Sequence, residues 1–126
     1  MMKDIKTLTK KDKERNEKLA NEVKDFLIKN NCFQDVTIFF NRKAMFLDWK
    51  NGYKDLIIEE KDSRMIFEYG NHSTLIIAFE GKLYELFNLC SCEYHRRIIS
   101  GLETIFEKYN LYWELGYSYS ISLYDI

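Results

Sequence analysis

Cys90-Ser91-Cys92-Glu93-Tyr94-His95 gathers most of the reactive side-chain types of this chain into one short stretch. Zinc takes thiolate and imidazole ligands in a tetrahedron. Cys-x-Cys-x-x-His offers three such ligands, Cys90, Cys92 and His95, and His72 or Cys32 could add a fourth. The spacing is not that of a Cys-x-x-Cys knuckle, and no second pair follows it. The plainer reading is a set of thiols packed at a strand-to-helix corner. The same residues suggest a nucleophile. A thiol at a helix start gains acidity from the backbone N–H groups, and Cys92 has His95 and Arg96 close in sequence. A thiol–imidazole pair also needs hydrogen-bond geometry and a group that orients the ring, which neighbours on one helix rarely supply. The expectation is therefore no bound metal and no cofactor.

Carboxylates form the second candidate set: Asp48 with Asp55, and Glu59, Glu60 and Asp62. Two carboxylates held together can separate their pKa values and divide acid from base work. Here no Gly-rich loop or third polar partner accompanies them, and an acidic strand edge that discourages aggregation is the simpler account. GxGxxG, a Walker loop, HExxH and GxSxG are all missing.

These residues must be positioned by a chain of 126 residues, which suits one domain over 1–126. Apolar residues make up 46% and aromatics 16%; with nine Tyr, nine Phe and two Trp, rings can fill a core and still be left outside it. Net charge is −1, but residues 1–18 carry seven basic against four acidic side chains, leaving +3 there and −4 elsewhere. That balance is far from the strongly basic pattern of nucleic-acid binders. The N-terminus lacks the apolar core of a signal peptide, and no apolar run approaches a membrane span. Three cysteines are an odd number, better read as reduced thiols of a cytoplasmic protein than as a disulfide frame.

Thr9 and Asp12 open a helix over 9–30, in which Leu19, Ala20, Val23, Phe26 and Leu27 share a face. Lys10 to Lys18 has no apolar stripe, so residues 1–18 are expected to project as a basic helix start or to fray. Six strands are predicted next: Val36–Phe40, Ala44–Lys50, Tyr53–Glu60, Arg64–Tyr69, Thr74–Glu80 and Lys82–Asn88. Asn51-Gly52 reads as a two-residue hairpin turn. It would set Trp49 opposite Lys54, Leu47 opposite Leu56 and Met45 opposite Ile58, and it would place Asp48 against Asp55. A second helix is predicted from Ser91 or Cys92 to Tyr109, with Ser91 as N-cap and Gly101 marking close approach to the sheet. In Tyr117–Tyr124 large and small residues alternate, which puts Tyr117, Tyr119, Ile121 and Leu123 on one strand face. The fold class expected is α+β: one antiparallel meander of five to seven strands, with two helices on one face, in the order α-β(5-6)-α-β.

Three function classes follow. Nucleic acid could meet Lys10, Lys11 and Lys13 together with Arg96 and Arg97, with Phe39, Tyr69 or Tyr84 stacking bases. An enzyme would use Cys92, His95 and a carboxylate of the sheet. The leading expectation is a non-enzymatic module that binds a larger protein as an inhibitor or adaptor. Val36–Phe40 is apolar on both faces, so a sheet covered by helices on one side would expose an apolar patch on the other, and such patches mark interfaces. A homodimer could use the same patch. Anti-CRISPR and other anti-defence inhibitors of phages and mobile elements share this small, aromatic-rich character. Arg96, Arg97, Trp113, Lys10, Lys11 and Lys13 are the contact residues expected.

Overall fold

A computed structural model describes residues 8–88 and 92–126. Helix α1 spans Lys10–Lys29. It starts as predicted, with the Thr9 hydroxyl accepting from Asp12 N and the Asp12 carboxylate accepting from Thr9 N. Strands β1 (Val36–Phe40), β2 (Lys43–Leu47) and β3 (Leu56–Glu60) follow, then β4 (Ile76–Phe79), helices α2 (Gly81–Asn88) and α3 (Glu93–Lys108), and strands β5 (Leu111–Tyr117) and β6 (Ser120–Asp125). All neighbours in the single six-stranded sheet are antiparallel, in the order β3-β2-β1-β4-β6-β5. The meander runs through β1–β3. The chain then crosses the sheet and lays β4 beside β1.

The fold is α+β, with the helices against one face of the sheet. There Leu19, Val23 and Leu27 of α1 and Ile98, Leu102 and Phe106 of α3 enclose Ile38, Met45, Ile77, Ile121 and Leu123. Trp113 joins this layer, half-buried, with its ring 5.0 Å from that of Phe87 and its Nε1 donating to Glu103. It is a packing residue more than a free contact.

Four local expectations are corrected. Lys82–Asn88 is helix α2 and not a strand: Lys, Leu and Glu favour helix, and the Leu83–Leu86 spacing buries both side chains on one face. Arg64–Tyr69 is a loop that opens with a short 3-10 turn, because the Asp62 carboxylate caps Arg64 N and curls the chain. Asn51-Gly52 lies within a longer connection, a 3-10 turn over Trp49–Asn51 capped by Asp48. The predicted register of β2 on β3 still holds, with Leu47 opposite Leu56 and Met45 opposite Ile58. Tyr117–Tyr124 is the end of β5, a turn, and β6.

The start of α1 does not project. Asn16 is fully buried, and its amide donates to Asn41 Oδ1 and to the Ser73 carbonyl. Asn41 in turn donates to the Lys13 carbonyl at 2.8 Å. A polar lock replaces the missing apolar stripe.

Gly101 marks a close approach as expected, but to α1 and not to the sheet. A Cβ there would lie 2.7 Å from Phe26 Cε1 and nearer still to Cζ. Gly101→Ala should therefore destabilise by about 1–2 kcal/mol, overpacking outweighing the gain in helix propensity. Urea denaturation of Gly101→Ala, alone and with Phe26→Leu, checks this: the second change should remove most of the loss. A Gly101→Ala chain more stable than wild type would refute the close packing of α1 on α3.

Candidate protein-binding face

The sheet register decides which side chains look away from the helices. One row across that second face reads Glu59, Ala44, Phe39, Ile76, Ser122 and Glu114. The next reads Ile57, Phe46, Thr37, Ala78, Ser120 and Tyr117. Phe39, Ala44 and Ile76 are buried there, and none of the described α-helices contributes to their cluster. The cover is the segment between β3 and β4, residues 61–75. Its Phe67 stands edge-on to Phe39 at 5.5 Å and lies 6.1 Å from Tyr117. Farther along, a Cβ at Gly70 would meet Ser122 Oγ at 2.8 Å, so backbone lies directly over Ser122. Of the small residues in Tyr117–Tyr124, Ser120 and Ser122 are thus buried while Ser118 is exposed in the turn. Tyr117 and Tyr119 lie on this second face with Phe67, not with Ile121 and Leu123 as the alternation implied. Ser120 and Ser122 are small because a loop rests on them, not because they face water.

The segment is closed by a buried pair. Ser63 Oγ and His72 Nδ1 are hydrogen-bonded at 2.8 Å. Burial pushes the His72 pKa down, against the Asp62 carboxylate, which favours the imidazolium; the Arg64 guanidinium pushes the same way as burial. Asp62 is itself held below the usual carboxylate range, mainly by its hydrogen bond from Arg64. On either side of His72 the chain is tied to β6, with Asn71 Nδ2 and Thr74 Oγ1 both donating to the Leu123 carbonyl.

The cover is incomplete. A groove of about 370 Å³ remains over Phe46, Thr37 and Ala78, walled by Trp49 on one side and by Ile66, Phe67 and Tyr119 on the other. Trp49 is 66% exposed, and Met65, on the same segment as Ile66, is 85% exposed. Tyr117 and Tyr119 stack at 5.3 Å. Asp35 and Glu80 supply carboxylates to the groove, and Lys61 supplies a cation. The Tyr53 hydroxyl donates to Asp35 Oδ1 at 2.7 Å, which raises the Tyr53 pKa and fixes the carboxylate.

The residues whose types could do chemistry lie elsewhere. Cys92, not Ser91, is the N-cap of α3, and its side chain caps nothing; Cys90 and Ser91 lie outside the described residues. Cys92 Sγ meets His95 Nδ1 on the surface. Cys32 is buried against the Tyr94 hydroxyl at 3.6 Å, and His72 belongs to the opposite face, so neither completes a cluster with His95. Among the described residues no three His, Cys, Asp or Glu side chains converge. Asp48 and Asp55 are neighbours in register, yet each has its own partner: Asp48 caps Lys50 N, and Asp55 accepts from Asn51 Nδ2. Glu59 and Glu60 lie on the edge strand β3.

The basic residues do not form one surface. Tyr94 near the start of α3 donates to Asn30 at the end of α1, whereas Lys108 pairs with Glu22. The two helices are therefore antiparallel. Lys10, Lys11 and Lys13 lie about 25 Å along α1 from the end beside Arg96 and Arg97, at 1.5 Å per residue. Arg97 is spread over the Tyr94 ring, with Lys82 also against it. Of the rings proposed to stack bases, Phe39 is buried beneath Phe67, Tyr84 is half-buried on α2, and Tyr69 alone is well exposed.

No protein-family model matches the chain, and comparison with curated proteins and with solved structures returns no match. None of the described helices is long and apolar enough to cross a membrane.

Trp49, Ile66 and Tyr119 were not among the expected contacts. The available signals were the Asp48 and Asp62 caps, which turn apparent strand ends into 3-10 turns that lift Trp49, Met65 and Ile66 off the sheet.

The buried His72 gives a pH dependence with a definite sign. Its folded pKa is depressed, so below about pH 6.5 the unfolded chain takes up the proton first and stability falls as pH falls. Above that pH the contribution is complete. Urea titrations between pH 7.5 and 5 should show this slope in wild type and a flatter one in His72→Gln; equal slopes would show that His72 does not titrate on unfolding.

Proposed function

We propose that this protein is a non-enzymatic module that binds a larger protein through the groove on its loop-covered face. The observation that carries this reading is the wall of Trp49, Ile66 and Tyr119 left exposed around an apolar floor. Aromatic side chains at the rim of a preformed apolar groove are the residues that dominate binding energy, and a patch of this kind usually marks an interface. The fitting occupant is an apolar segment of the partner with a cation directed at Asp35 and Glu80. The lack of an assembled catalytic constellation among the described residues suits an inhibitor or adaptor, anti-defence inhibitors included. The nucleic-acid reading has less support, because its two basic clusters sit at opposite ends of the helix pair.

Affinity capture with tagged chain, in nuclease-treated and untreated arms, followed by titration of the recovered partner, tests the reading. Trp49→Ala should weaken binding at least tenfold, as loss of a hot-spot aromatic does. Cys92→Ala and the combined Lys10, Lys11 and Lys13→Ala change should leave it within about twofold, since neither touches the groove. Loss in the Cys92 variant would instead favour an enzyme centred on that corner. Recovery that disappears with nuclease and with the lysine variant would favour nucleic acid.

A further inference from the structure

Among the described residues, strand β3 is the sheet edge whose ladder runs unbroken, and the charges it carries, Glu59 and Glu60, sit at one end of it. The opposite edge, β5, is broken by an irregularity between Leu115 and Tyr117, a feature that blunts edges. The β3 segment has no bulge against β2 and no proline. Its backbone directions follow from two bonds. Asp48 N donates to the Asp55 carbonyl, and Lys61 N donates to the Arg42 carbonyl, each at 2.9 Å. In an antiparallel ladder these directions alternate, so Asp55, Ile57, Glu59 and Lys61 point their peptide groups to β2. Leu56, Ile58 and Glu60 turn theirs outward, where no further strand lies among the described residues. The side chains of Leu56 and Ile58 are on the helix face, opposite Leu47 and Met45. Yet Leu56 is 39% and Ile58 53% exposed. α1 packs over β1 and α3 over β5, so the helical layer stops short of this edge.

We infer that β3 pairs with β3 of a second copy of this chain, antiparallel and centred on Ile58, to make one continuous sheet. The occupant follows from self-complementarity. Centred there, Ile58 faces its own counterpart, and Leu56 lies diagonal to the partner copy's Ile58, so four aliphatic side chains become contiguous on the helix face. Leu56, Ile58 and Glu60 bring every outward peptide group into the new ladder. Asp55 falls opposite Lys61 at both ends, and Glu59 and Glu60 fall opposite Ile57 and Leu56, so no like charges stand opposed. A shift of one residue toward Ile57 would place Asp55 against Glu59 and is disfavoured. The dimer leaves the groove over Phe46 and Ala78 open, and it does not depend on the function proposed above.

Sedimentation equilibrium of the full chain over a range of concentrations tests this. Wild type should dimerise reversibly. Ile58→Lys should give a monomer with an unchanged circular-dichroism spectrum, and a melting curve that matches wild type at dilutions where wild type is itself monomeric, because the side chain is already half in water. Lys61→Glu should weaken the dimer roughly tenfold by setting like charges opposite twice, and adding Asp55→Lys should restore it. A wild-type monomer at the highest soluble concentration would overturn the proposal. So would a dimer that tolerates Ile58→Lys. Failure of the charge exchange to restore pairing would overturn the register.

Discussion

A sheet that is apolar on both faces has to be covered twice, and α1, α2 and α3 all serve one face. That imbalance shapes the rest of the molecule. Val36–Phe40 cannot expose Phe39 without placing a buried-type aromatic in water, so the segment between β3 and β4 is drawn across the second face instead. The segment has no secondary structure able to satisfy its backbone over so long a path. It substitutes side-chain bonds: the Asp62 cap, the Ser63–His72 pair, and the two donors onto the Leu123 carbonyl. Phe67 then contributes the edge-on ring contact, an interaction worth about 0.5–1.5 kcal/mol beyond the area it buries. Where this cover ends, the groove begins.

The helix layer was legible because its signals are local and strong. The Thr9–Asp12 cap and the heptad-like run from Leu19 to Leu27 can adopt only one periodic structure, and the stripe from Ile98 to Phe106 is equally plain. The β2–β3 register was legible as well, although the turn chemistry that suggested it was misread. The apolar pairs Met45–Ile58 and Leu47–Leu56 align the strands whatever the connection does, since a one-residue slip would turn both sets to the wrong face. Leu83 to Phe87 was ambiguous at its own length. A short apolar run fits both periods, and the Leu83–Leu86 spacing together with the helix-favouring Lys, Leu and Glu decides for the helix.

The binding face was legible only in outline. Two-sided apolarity of β1 announced an uncovered face, but nothing local says which segment will cover it or where the cover stops. Asp48 and Asp62 decide that by capping 3-10 turns, and an aspartate before a short polar stretch is too common to be read as such. The charged residues misled for the opposite reason. Arg96 and Lys13 look like parts of one basic surface in a composition count, and the antiparallel packing of α1 on α3 separates them.

The polar lock at Asn16 has a consequence of its own. Apolar side chains on a helix can slide one turn along a sheet and find nearly equivalent neighbours. Asn16 cannot, because its amide reaches both Asn41 at the β1–β2 turn and the Ser73 carbonyl at the end of the crossing segment. A slip of one turn would strand a buried amide and a buried carbonyl, at about 1–3 kcal/mol for each group left unbonded. One asparagine thus makes the helix, the hairpin and the crossing segment commit to a common alignment, so that the molecule has a single packing where a purely apolar contact would permit several.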